Sequence, residues 1–150
     1  EAMGAPSGGL LRRVSYLAYA RPDNTTDCWS DAVGVFVPML AQGHILTRKI
    51  LVADTARTVP FVFLCRASNT TTDGEIRITN NTTAATVTLA VTDPGTTFAW
   101  YGTSLSFACE NLSQASGLPG GTFASSTFTI EFRRTGAAGT FYCASACAGE

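Results

Sequence analysis

Charge is scarce in this sequence. Only 14 % of its 150 residues are Asp, Glu, Lys or Arg, and the net charge is −1, against roughly 25 % charged in an average globular domain. The basic residues are scattered. A nucleic acid would need a basic face, and an electrostatic membrane binder a cationic patch, so both classes of partner are excluded. Long hydrophobic runs are missing too. None approaches the ~20 residues of a membrane-spanning helix, and the longest, VGVFVPMLA (33 to 41), contains Pro38. Histidine is reduced to His44 alone. A Ser-His-Asp system would have to use it, yet no serine sits in a G-x-S-x-G elbow. The cysteines form no C-x-x-C pair, which with a single histidine excludes a zinc pattern. No cofactor is implied.

What is present is apolar residues, at 45 %, and threonine. Low charge on that background has two readings: a sheet protein with a Thr/Ser surface, or a subunit that buries much of its exterior in an assembly. The length predicts one domain that needs neither metal nor disulfide to fold. EAMGAPSGG (1 to 9) is small and poor in apolar mass and reads as a flexible arm, leaving residues 10 to 150 as the domain.

Along that domain the apolar residues recur at every second position, with turn residues between the runs. GEIRITN (74 to 80) places Ile76 and Ile78 on one face and Glu75, Arg77 and Thr79 on the other. AATVTLAVT (84 to 92) does the same with Ala85, Val87, Leu89 and Val91 against Thr86 and Thr88, and STFTIEFRR (126 to 134) with Phe128, Ile130 and Phe132 inward. TVPFVFLCRA (58 to 67) is apolar on both faces, as a central strand would be. Pro38 marks an edge or bent strand. TTFAWYGTSLSFAC (96 to 109) is one long strand with Gly102 as a candidate break. NNTT (80 to 83) reads as a hairpin turn, since Asn tolerates the left-handed conformation tight hairpins require. About eight to nine short strands and no convincing helix predict an all-β, antiparallel β-sandwich of jelly-roll-like order.

Five cysteines, Cys28, Cys65, Cys109, Cys143 and Cys147, leave an odd thiol that is either buried and reduced or bridges to a neighbour. Any of them is a candidate for an internal or intermolecular disulfide. Cys143 and Cys147 are excluded as partners if they share one strand, because four residues span about 13 Å and a disulfide needs Cα atoms within ~7 Å. Asp23, Asp27 and Asp31 recur in one loop, but without the D-x-D-x-D-G spacing of a calcium site; they read as turn-capping residues. Sugar sites use a flat aromatic ringed by amides and carboxylates. Trp29 beside Asp27 and Asp31, and the adjacent Trp100 and Tyr101, are the residues that would make one. Trp100 shares its parity with Phe98, which points it toward the core, whereas an outward Trp or Tyr would be a stacking platform. Sequons at Asn24, Asn69, Asn80, Asn81 and Asn111 all fall in predicted turns.

SYLAYARPDNTTD, VGVFVPMLA and FTIEFRRTGAAGTFYCASA, with the Thr-rich RITNNTT hairpin, resemble the small jelly-roll domains of tailed-phage virions: head decoration proteins, head fibres and tail modules. The resemblance implies a non-enzymatic structural subunit of a virion or similar extracellular assembly. Its partners would be protein, either other copies or a capsid, tail or filament shell. Carbohydrate-binding modules and subunits of extracellular filaments share the same texture. Glycan recognition through exposed aromatics is therefore the alternative.

Overall fold

The computed structural model describes residues 14–19, 28–41, 44–45, 47–52, 57–81, 83–107, 124–136 and 138–149. The arm at 1–9, Asp23, Asn24, Asp27, Cys109 and Asn111 lie outside them. The described chain is all strand: β1 (Val14–Tyr19), β2 (Trp29–Asp31), β3 (Val37–Pro38), β4 (Leu40–Ala41), β5 (His44–Ile45), β6 (Thr47–Val52), β7 (Arg57–Ala67), β8 (Thr72–Asn80), β9 (Thr86–Val91), β10 (Ala99–Phe107), β11 (Ala124–Gly136) and β12 (Phe141–Gly149).

The strands form two antiparallel sheets. One runs β1-β12-β7-β10, and β2 continues the β1 row along β12, from Tyr19↔Ser145 to Trp29↔Cys143. The other runs β3-β11-β8-β9, and β6 continues the β3 row along β11. The little β4-β5 hairpin interrupts that second edge row. Counted by rows, each sheet is four strands wide. The chain crosses between sheets at almost every connection, and only β8 to β9 turns back within its own sheet. This order is the double Greek key of a jelly roll.

Alternation builds the core. Val59, Phe61, Phe63 and Cys65 of β7 face Ile76 and Ile78 of β8 and Phe128, Ile130 and Phe132 of β11, all buried. The rings of Phe61 and Phe128 meet edge to face at 5.0 Å. Each such side chain contributes about 1.5–3 kcal/mol by leaving water. β7 lies between β12 and β10 as a central strand, but only one of its faces is fully buried: Pro60, Val62, Leu64 and Arg66 on the outer face are half-buried. Pro60 falls where the β12 register has ended at Phe61, so its missing N–H costs nothing on that side.

Three local expectations change. β10 pairs with β7 in unbroken register through Gly102, so that glycine is no break. VGVFVPMLA is three pieces rather than one strand: a loop at 32–36, the edge strand β3 carrying Pro38, and β4 after the buried Met39. In the β8-β9 hairpin it is Ala84, at φ 65, that takes the left-handed conformation, not an asparagine of the described turn. Asn80 is instead buried at the strand end, where its side-chain oxygen accepts from Thr83 N. Asn81 reaches across to β11, donating to Thr127 Oγ1 and accepting from Thr129 Oγ1. Asn80 thus braces the turn itself, and Asn81 ties the hairpin to its neighbour.

A bulge in β12 between Cys143 and Ser145 shifts the register by one residue. Before it, Cys143 faces the core opposite Cys65; after it, Ala146 does, and Cys147 falls opposite Val62 on the outer side.

Candidate functional site

The described residues of the glycan reading, Trp29, Asp31, Trp100 and Tyr101, take different settings in the fold, and Asp27 lies outside the described residues. Trp29 packs partly against the core, and its indole Nε1 donates to Leu40 O at 2.7 Å, tying β2 to the β4-β5 hairpin. Asp31 is buried, and its carboxylate accepts from Val33 N, Gly34 N and Arg134 N. Those bonds cap the loop between the sheets and anchor it to β11. Tyr101 turns inward against the core, where burial first and the neighbouring Cys65 second raise its hydroxyl pKa. Trp100 alone stands outward, 50 % exposed, opposite Leu64 on the outer face of the first sheet. Its parity is opposite to that of the core residues, because the strand's inward positions are the odd ones, Tyr101 and Leu105.

Beside Trp100, the outer face of this sheet carries a stack. The Arg66 guanidinium lies 4.4 Å from the Tyr142 ring centroid and 5.2 Å from that of Phe98. It also donates to Ala67 O. Each aromatic face attracts the cation, and the stack holds β12, β7 and the approach to β10 in one row.

The outer face of the second sheet is where threonines were expected to dominate. Thr79, Thr86, Thr88 and Thr129 do face outward there, together with a charge ladder. Arg77 bonds Glu131 through Nε and Nη2 at 3.0 and 2.7 Å, and Arg133 bonds Glu75 at 2.8 and 2.7 Å. Both pairs are direct cross-strand partners of β8 and β11. The ring of Phe36 covers both guanidiniums, at 4.0 and 4.4 Å from its centroid. Within each pair the two charges neutralise each other.

The sequence reading did not single out the exposed large apolar side chains of the loop and hairpin among the described residues. Val33 is 74 % exposed, Val35 62 %, Ile45 56 % and Leu40 44 %. Val33 and Val35 lie on the loop that crosses from the β2 edge to the β3 edge. Leu40 and Ile45 are cross-strand partners on the hairpin that interrupts the same edge. Four exposed large side chains on two successive pieces of one chain segment, two of them direct cross-strand partners, depart from the usual single scattering. The signal in the sequence was the interruption itself: Gly34 and Pro38 break an apolar run that one buried strand would have kept whole.

Among the described residues no three His, Cys, Asp or Glu side chains gather as a metal site. Cys65, Cys143 and Cys147 are buried thiols, and Cys28 is half-buried just before β2.

No protein-family model matches the chain, and no curated protein matches it. Solved structures do match in fold. The protein of infectious bursal virus derived T=1 particles superposes with a TM-score of 0.51 at 14 % identity, over 91 % of this chain and 30 % of its own. The VP2 subviral particle of infectious bursal disease virus gives the same TM-score and identity, over 91 % of this chain and 31 % of its own. The chain therefore spans about a third of the particle proteins it matches. The likeness is one of jelly-roll architecture, shared with viral particle proteins.

Proposed function

We propose that this chain is a non-enzymatic structural module of a virion or a similar extracellular assembly, working by surface packing against copies of itself or a shell. The observation that carries the reading is the flank of Val33, Val35, Leu40 and Ile45, exposed apolar side chains on the loop and hairpin beside one sandwich edge. Burying them would remove apolar surface from water at about 25 cal/mol per Å². The jelly-roll order and the likeness to particle-forming viral proteins support the same direction. A decoration, head-fibre or tail-fibre role is the finer form of the proposal. Sedimentation of the purified chain, alone and with particles from its source, tests it. Concentration-dependent association or retention on particles is expected, and Leu40→Ser with Ile45→Ser should abolish it while the fold is kept. A chain that stays monomeric and is never retained on particles overturns the reading.

Glycan binding remains as a second reading on one residue, the half-exposed Trp100. A glycan array with a Trp100→Ala control decides it: binding lost in the variant supports the platform, and an array without binding removes it.

A further inference from the structure

Cys65 and Cys143 are direct register partners on the neighbouring central strands β7 and β12. Both side chains point into the core and neither is exposed. Facing residues of an antiparallel pair have Cα atoms roughly 4.5–5.5 Å apart, inside the ~4.4–6.8 Å range of disulfides. Cys143 Sγ donates to Ser145 O at 3.5 Å, within its own strand. The bulge after Cys143 directs Cys147 to the other side of the sheet, opposite Val62. Among the described cysteines the fold thus places one pair face to face, where the sequence leaves the pairing open.

We propose that Cys65 and Cys143 close a cross-strand disulfide when the chain folds in an oxidising medium, covalently joining the two central strands of the first sheet. The oxidant is a low-molecular-weight disulfide such as oxidised glutathione. One cysteine thiolate attacks it, giving a mixed disulfide and one released thiol. The second cysteine then displaces the other thiol. Two S–H bonds are lost from the protein, one Sγ–Sγ bond forms, and the reagent's disulfide is reduced to two thiols. The link forms as β12 docks beside β7. Once the sandwich is closed, burial raises the Cys65 pKa well above its ordinary value, and neither sulfur is open to a reagent. The redox state of the pair is therefore set at folding and kept afterwards. The inference rests on the proposed extracellular placement only for the natural oxidant; the pairing itself is independent of any assembly.

The test is to refold the reduced, full-length chain in glutathione buffer and in dithiothreitol. Both are then digested without reduction and their peptides mapped. The oxidised sample should contain the peptides of Cys65 and Cys143 joined, with the mass lower by two hydrogens, and Cys143→Ala should lose that species. Closing a loop of roughly 80 residues should raise Tm by about 10 °C over the reduced protein. Protein exported to a bacterial periplasm, mapped in the same way, covers a poor refolding yield. Oxidatively refolded protein in which Cys65 and Cys143 are both found as thiols, alkylated once the chain is unfolded, or in which Cys65 is joined to another cysteine, overturns the proposal.

Discussion

Gly74 and Phe141 divide one space between them. Gly74 sits in β8, where a side chain would enter the core, and a Cβ there would stand 2.4 Å from the Phe141 ring of the opposite sheet. The glycine is demanded by the ring rather than by backbone conformation. Gly74→Ala should cost about 1–3 kcal/mol in urea unfolding, the range of overpacked cores, and Phe141→Leu in the same chain should return part of it. Cys147 gives a pH signature. Burial first, and the neighbouring Cys143 second, push its thiol up to about 11 from an ordinary 9.0. The folded state holds the proton where the unfolded chain releases it. The contribution is thus intact below pH 9 and lost as pH rises from 9 toward 11. The urea midpoint should fall over that window, and fall less in Cys147→Ala. At this scale the sequence was legible where a residue type has one dominant use. Asp31 read as a turn cap is a cap. It was illegible where a contact partner lies far along the chain: nothing near Gly74 announces Phe141.

Among the elements, β8 and β11 carry both the core wall and the outer charge ladder. Alternation made this visible from sequence: Ile76, Ile78, Phe128, Ile130 and Phe132 are inward as their parity requires. Pairing between Glu75 and Arg133, or Arg77 and Glu131, depends on register, which a single strand does not encode. A double-mutant cycle on Arg77→Ala and Glu131→Ala should give a coupling of about 0.5–1 kcal/mol, at the upper end for half-exposed pairs. Phe36→Ala should lower it, because the ring confines both guanidiniums. Reading failed at β10, where Trp100 and Phe98 share a parity that is the outward one. Both faces of that strand hold aromatics, so composition does not say which face meets the core.

For the molecule as a whole, the class was legible and the strand order was not. Short alternating runs between turns leave few alternatives to a sandwich, whereas the pairing of β1 with β12 joins residues at opposite ends of the chain. Amide hydrogen exchange should follow this layout: slowest in β7, β8, β11 and the stretch of β12 from 141 to 148, and fastest in the two-residue strands β3, β4 and β5. Slow exchange in the β4-β5 hairpin of the isolated chain would contradict its description as an exposed flank. It would become the expected result once the chain is packed into an assembly.

The interleaved strand order also sets a timetable for synthesis. β7 is complete at Ala67, but its partner β12 ends only at Gly149. At ~5–20 residues per second, a ribosome leaves Phe61 and Phe63 without that neighbour for roughly 4–16 s. Nascent chains of this protein must spend that interval with half a core uncovered. Holdase chaperones and crowding by neighbouring nascent chains therefore have their influence before the last strand emerges.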